Sequence, residues 1–257
     1  MYQSSSDFSA QWDQEAKYYN HKYKHSNEAI YMYEQFVNVP SLLSLFPQRA
    51  ERVLDIGCGN GIFTKILENR FKTVTGIDLS QNMINAAHKL CPNSEFLKHD
   101  IDYGFPEFTY KFNLIIAKLV LMYIKDLSYF VQGVCDNLTT NGSLLVSITH
   151  PIRWHMHYEQ NKLNGHYVET FGQRFKGYFC ESILQKDIGN DPHLKMYFIH
   201  RTLETYINTF RAHGFVLQSI SEPQVPLSFM IEFPEYQAKS SYPRRLNMRF
   251  VKYDSKT

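Results

Sequence analysis

The spacing of apolar and polar positions changes character at residue 52. From there to 149, short apolar or β-branched runs alternate with segments of helical periodicity. Arg52–Ile56, Thr73–Asp78, Phe112–Lys118 and Ser143–Thr149 are predicted as buried strands, with Glu95–Lys98 a weaker one. After Asp126 the apolar set Leu127, Phe130, Val131, Val134, Cys135 and Leu138 recurs every three or four residues, which predicts a helix capped by Asp126. Residues 62–71 and 81–90 repeat the pattern less cleanly, through Ile62, Phe63, Ile66 and Leu67 and through Met83, Ile84, Ala87 and Leu90. Strand and helix in strict alternation imply a parallel α/β sheet with right-handed crossovers.

Outside this stretch the pattern differs. Residues 150–200 are rich in aromatics, glycine and histidine without a clear period, too long for an ordinary connection, and are read as an insertion on the substrate side after the fifth strand. Periodicity returns in Leu203, Tyr206, Ile207 and Phe210, a helix closed by Gly214. Phe215–Glu222 and Leu246–Tyr253 follow as two closing strands, paired as a hairpin across a proline-rich excursion. In the leader, Trp12, Tyr18, Tyr19 and Tyr23 recur at near-helical spacing. Such a stripe is either core or an aromatic lid that attracts a cationic ligand and excludes water. The chain is expected to form one domain over 1–257, divided into leader (1–50), core (51–149), insertion (150–200) and closing elements (201–257).

Composition narrows the classes. With 257 residues and 44% hydrophobic content, one sizeable core is affordable in size, and 27 basic against 25 acidic residues leave a net charge of only +2. That balance argues against a dedicated nucleic-acid surface; the pair Arg244 and Arg245 reads as a local patch or a solvated face. Cys58, Cys91, Cys135 and Cys180 form no C-x-x-C pair, so neither zinc nor a disulfide framework is signalled, and a reducing cytoplasm is expected. No membrane span is expected, since the longest apolar run, Leu114–Ile124, is short and carries Lys118.

The chemistry begins at VLDIGCGNG, Val53–Gly61, where a strand runs into three glycines. In an open parallel sheet, ligands bind outside the carboxyl ends of the strands, where this turn falls. A P-loop would need G-x-x-x-x-G-K-[ST], which is absent, and the third glycine comes one residue early for a dinucleotide fingerprint. Asp55 stands where a pyrophosphate would settle. At an effective dielectric near 20, like charges ~4 Å apart cost on the order of 4 kcal/mol and opposite charges gain as much before desolvation, so an ammonium suits the turn better. Asp78, at the tip of the second strand, can accept hydrogen bonds from a ribose diol.

These residues, together with TGIDLS and Met83 and with HDI at 99–101, resemble the class I S-adenosylmethionine-dependent methyltransferases. The resemblance implies a Rossmann-like, seven-stranded, mostly parallel sheet with helices on both faces and an antiparallel last strand. It implies S-adenosylmethionine as cofactor, with Gly57, Cys58, Gly59 and Gly61 on the methionine moiety and Asp78 on the ribose. Asp100 would face the adenine amine, Leu79, Met83 and Ile101 would flank the base, and Tyr19 would close the lid. Lys118 departs from the small polar residue usual at the end of the fourth strand, which leaves its role open.

Methyl transfer from a sulfonium is in-line, and positioning supplies ~7 to 11 kcal/mol against about 3 to 5 from a general base. A base is therefore optional. The residues after the fourth strand, Ala117 to Val120, lack the acid-or-Asn-Pro-Pro pattern of adenine and glutamine methyltransferases, and no carboxylate cluster marks a metal-assisted enzyme. SITHPIRW at 147–154 and HRTLETYINTF at 200–210 resemble a branch that modifies small molecules, so a small O- or N-acceptor is expected. Methylation of tRNA or protein, and a non-catalytic cofactor-binding scaffold, are the alternatives. His150 is the candidate base or orienting group, and Trp12, Trp154, His200 and Arg201 are candidate acceptor contacts. No metal and no particular oligomeric state are implied.

Overall fold

A computed structural model describes residues 12–13, 29–153, 177–188, 191–237 and 240–253. Strands β1 (Arg52–Ile56), β2 (Thr73–Asp78), β3 (Glu95–Lys98) and β4 (Phe112–Lys118) begin and end where the apolar pattern predicts. β5 (Leu138–Thr149) starts earlier than the predicted Ser143, because Leu138 already pairs with Phe112 ahead of a register shift. The insertion contributes a separate hairpin, β6 (Ser182–Ile188) and β7 (Asp191–His200), and β8 (Phe215–Ser221) and β9 (Arg245–Lys252) close the fold.

The sheet has seven strands in the order β3-β2-β1-β4-β5-β9-β8, parallel except for β9, which runs antiparallel to both neighbours. The expected Rossmann-like architecture is present, including the antiparallel last strand. Its helices are α1 (Ala29–Tyr33) and α2 (Val39–Leu43), joined by a π-helical turn Glu34–Asn38, then α3 (Ile62–Glu68), α4 (Gln81–Leu90), α5 (Leu127–Asn137), α6 (Leu203–Ala212) and α7 (Leu227–Glu232). Three of them start on side-chain caps, one of which, Asp126, the spacing predicts. Ser80, Asp126 and Thr202 accept hydrogen bonds from the N–H groups of Met83, Tyr129 and Thr205.

Strand alternation divides the interior in two. Leu54, Ile56, Ile115, Ala117, Val146, Met248 and Phe250 point to the face covered by α5 and α6, where Phe130, Val134 and Phe210 meet them. Val53, Leu114, Ile116 and Leu145 point to the other face, against α2 and α3 through Val39, Leu42, Phe63 and Leu67. Toward the carboxyl edge this second face turns polar: Lys118 on β4, Ser147 on β5 and Asn247 on β9 stand there, all buried or half-buried. The π-helical turn lies over that polar patch.

Candidate active site

At the carboxyl end of β1 the chain turns through Gly57, Gly59 and Gly61 at φ of 65°, 56° and 85°, a region that disfavours side chains. The N–H groups of Gly57 and Cys58 both donate to Ile77 O, at 2.8 and 3.0 Å, which ties the turn to β2. A methyl group on Gly57 would lie 2.3 Å from Val120 Cγ2, and one on Gly61 2.9 Å from Ala87 Cα. Gly61 is thus needed for packing on α4. At Gly59, by contrast, a methyl would meet nothing within 4 Å, and this stretch of backbone borders a cavity of about 220 Å³.

The cavity gathers Trp12, Asp55, Gly57, Cys58, Gly59, Asp78, Leu79, Met83, Asp100, Ile101 and Lys118 from the sequence-derived candidates. Asp78 accepts from Gly59 N–H through Oδ2 and from Ser80 N–H through Oδ1, both at 2.9 Å, so each oxygen keeps lone-pair capacity for a further donor. Burial raises its pKa, against the pull of those two bonds. Asp55 is almost fully buried and accepts from the Thr64 hydroxyl at 2.7 Å. Burial pushes its carboxyl up to about 7, while the Thr64 bond and the charge of Lys118 oppose the rise. Asp100 caps the short turn Ile101–Tyr103, accepting from Asp102 N–H. Two carboxylates at strand tips, a third behind the glycine turn and apolar Leu79, Met83 and Ile101 between them fit a nucleoside with an ammonium tail. A phosphate at Asp55 would raise the cost of ionising it further.

A family model described as "Methyltransferase domain" matches residues 47–190, more than half of the chain. The chain belongs to the methyltransferase domain family. It is an S-adenosylmethionine-dependent methyltransferase of the class I fold, and S-adenosylmethionine is its cofactor. A malonyl-[acyl-carrier protein] O-methyltransferase of Bacillus anthracis is 32% identical over 138 residues, 48% of this chain and 51% of the relative. A trans-aconitate 2-methyltransferase of Rhizobium rhizogenes is 26% identical over 132 residues, 49% of this chain and 50% of the relative. The chain therefore spans about half the length of these two relatives. A crystal structure of a candidate S-adenosylmethionine-dependent methyltransferase from Listeria monocytogenes superposes with a TM-score of 0.68 at 25% identity, covering 84% of this chain and 96% of the other.

Beyond these candidates, the methyltransferase closes its cavity with residues to which the sequence assigned no site role. Glu34 and Gln35 from the π-helical turn line it beside Lys118, and so do His99, Asp102, Phe63, Leu119, Val120 and Tyr123. Lys118 Nζ lies 3.3 Å from Glu34 Oε2 and over the Phe63 ring, which accounts for a cation at this strand end. Arg245 donates to Glu34 Oε1 through Nε and its terminal nitrogen, each at 2.7 Å. Burial alone would raise the Glu34 pKa, but Arg245, Lys118 and the Asn38 bond together bring it down to about 2. The sequence signal for Glu34 is indirect: a lysine at the end of a buried strand requires a counter-charge.

The loop after β4 is held under tension and from outside. Leu119 takes φ of 60°, costly for a leucine by roughly 1–2 kcal/mol, while its N–H donates to Ser147 O at 2.6 Å. Arg201 is buried and donates to the carbonyls of Leu121, Ile124 and Lys125 at 3.0, 2.6 and 3.0 Å. It does not line the cavity but fixes the backbone that does. Trp12 packs edge-on against Tyr123 of this loop, ring centroids 4.9 Å apart.

The remaining candidates lie elsewhere. His150 is buried at the end of β5 but does not line the cavity. Its Nε2 bonds Glu222 Oε1 at 2.8 Å and its Nδ1 accepts from Ile152 N–H at 3.2 Å. Burial lowers its pKa against the pull of Glu222, so one neutral tautomer, with the proton on Nε2, satisfies both bonds. A ring so engaged has no lone pair to offer an acceptor. His200 bonds Tyr178 O through Nε2 at 2.7 Å and is likewise absent from the cavity wall. Tyr19 and Trp154 lie outside the described residues. Among the described residues no cluster of three or more metal-ligating side chains occurs, and no helix is long and apolar enough to cross a membrane.

Proposed function

We propose that this methyltransferase transfers the methyl group to an oxygen or nitrogen of a small acceptor, by in-line displacement controlled through positioning. Bound S-adenosylmethionine supplies an electrophilic methyl on a sulfonium. Asp78 accepts from the ribose hydroxyls, Asp100 faces the adenine amine, Leu79, Met83 and Ile101 hold the base, and Gly59 presents its backbone to the methionine moiety with Asp55 behind it. The post-β4 loop, pinned by Arg201, and Trp12 against Tyr123 exclude water from the reacting centre.

The observation that carries the reading is the compact cavity: one space of about 220 Å³ bounded by the glycine turn and strand-tip acids and by Lys118, Glu34 and Gln35. Relatives named for trans-aconitate and malonyl-[acyl-carrier protein] support a small acceptor, and a net charge of +2 offers little to a polynucleotide. Orientation can supply ~7 to 11 kcal/mol of the barrier, so the absence of His150 from the cavity wall does not impair the scheme.

Methyl-labelled S-adenosylmethionine incubated with the purified chain tests this against three pools: small organic acids and amines, total tRNA, and unfolded protein. Label is expected in the small-molecule pool. Transfer confined to tRNA or protein would refute the small-acceptor reading.

A further inference from the structure

On the far side of Glu34 from the cavity, the carboxyl edge of the sheet carries an accumulation of cations. Arg245 begins β9, with Arg244 immediately before it, and β9 runs antiparallel, so its start lies beside the ends of the parallel strands; Arg245 pairs with Thr149 at the end of β5. Arg244 O accepts from His150 N–H. Burial, with the charges of Arg244 and Arg245 adding to it, pushes the pKa of Arg153 down to about 9.

The carboxylate that serves this group is already saturated. Glu34 gives Oε1 to Arg245 and Oε2 to Lys118 and Asn38, which leaves nothing for Arg244. Arg244 is only 5% exposed, its guanidinium lies 5.3 Å from the Tyr33 ring centroid and 4.6 Å from that of Tyr236, and its Nε–H has no acceptor. The Tyr33 hydroxyl, on a side chain with 0% exposure, has no hydrogen-bond partner either.

Cation–π contact explains why Arg244 stacks on these rings, but not why a buried guanidinium N–H and a neighbouring phenol are both left unmade. Leaving buried donors unsatisfied is costly, and more so when the donor is charged. Two unpartnered buried donors, on an arginine and on a tyrosine whose ring that guanidinium contacts, are what an oxyanion completes: it accepts from both and neutralises the excess positive charge.

We propose that Arg244 and Tyr33, reinforced by Arg153, form the recognition site for a compact oxyanion, a carboxylate or phosphonate, carried by the methyl acceptor. The inference rests on the small-acceptor reading and deepens it. The anion docks behind Glu34, and the rest of the acceptor reaches past Glu34 and Lys118 toward the methyl donor. The nucleophile is therefore a different group of the acceptor from the one Arg244 holds. In this arrangement Glu34 keeps Arg245 and Lys118 occupied, so that the anion is directed to Arg244.

The test is calorimetry on the full chain saturated with S-adenosylhomocysteine, titrated with succinate, ethylphosphonate and, as a neutral control, dimethyl succinate. At least one anion is expected to bind and the diester not to, and the tighter anion identifies the head group. Arg244→Met is expected to weaken anion binding by about tenfold or more while leaving S-adenosylhomocysteine affinity unchanged. Tyr33→Phe should weaken it by ~3- to 10-fold with a melting temperature unchanged or raised, because it removes a hydroxyl that has no protein partner. Equal binding of diester and anions, no anion binding, or anion binding unaffected by Arg244→Met overturns the proposal. Should Arg244→Met lose S-adenosylhomocysteine binding through misfolding, Tyr33→Phe decides in the same way. If the wild-type chain fails to bind S-adenosylhomocysteine, the cofactor reading falls, and the anion titrations on the free chain still decide this one.

Discussion

Two buried acids carry opposite consequences for pH. Asp55, raised by burial to about 7 from an ordinary 3.8, favours its protonated form in the fold. Its contribution to stability is present below pH ~4 and is lost as pH rises through about 7. In the proposed donor site an ammonium beside Asp55 would bind its ionised form, and Asp78, raised in the same direction, would accept ribose hydroxyls best when ionised. S-adenosylhomocysteine affinity is therefore expected to rise between pH ~5 and ~7, by up to about tenfold per unit, and to level off above. A pH series of titrations, with Asp55→Asn expected to flatten the slope, checks this; a flat wild-type profile would contradict it. Glu34, held down near 2 by Arg245 and Lys118, behaves conversely: its stabilisation is present above pH ~4.5 and is lost as pH falls through about 2. At this scale the sequence was informative where chemistry is local. Asp55, Asp78 and the glycines sit on strand ends and turns whose positions follow from pattern. Glu34 was not legible, because its importance lies in Lys118 and Arg245, which only the fold brings to it, and His150 misled because the end of β5 borders two environments, of which the ring enters the one holding Glu222.

Among the elements, the π-helical turn is the most consequential. The N–H of Val39 donates to Glu34 O across five residues, a widened turn of the kind often found at functional sites. It sets Glu34 and Asn38 against the polar patch of β4, β5 and β9. Asn38 Nδ2 donates to Glu34 and to Ser147, and Asn247 Nδ2 donates to Asn38 and Ser41, a buried network that docks the leader on the sheet. Glu34→Gln removes the charge between two buried cations and is expected to destabilise by about 3 to 5 kcal/mol, lowering the melting temperature on the order of 10 °C. Thermal unfolding measures it, and a change within 2 °C of wild type on the order expected for surface sites would contradict the assignment. No apolar period predicts such an element, since two of its three buried residues, Glu34 and Asn38, are polar and only Val37 is apolar. The hairpin β6–β7 was hidden for a related reason: it lies outside the main sheet, so its strands lack the continuous apolar runs that marked β1, β2 and β4.

For the whole molecule, the strand order sets the function. β3-β2-β1-β4-β5-β9-β8 puts the ends of β1, β2 and β4 and the start of β9 along one edge, so donor site, Lys118–Glu34 partition and Arg244 follow each other across the sheet. The order of strands and helices was legible because alternation of buried runs and amphipathic helices leaves few topologies. The proposed acceptor side was not, since Tyr33, Arg153 and Arg244 come from segments far apart in the chain. The central claim is that the glycine turn and the acid ending β2 hold the methyl donor. Calorimetric titration of S-adenosylhomocysteine into the wild-type chain and Asp78→Ala tests it most directly. A single site in the wild type, weakened by about a hundredfold or more in Asp78→Ala with unchanged fold, is predicted; equal affinity in the two proteins, or no binding to the wild type at millimolar ligand, would contradict it.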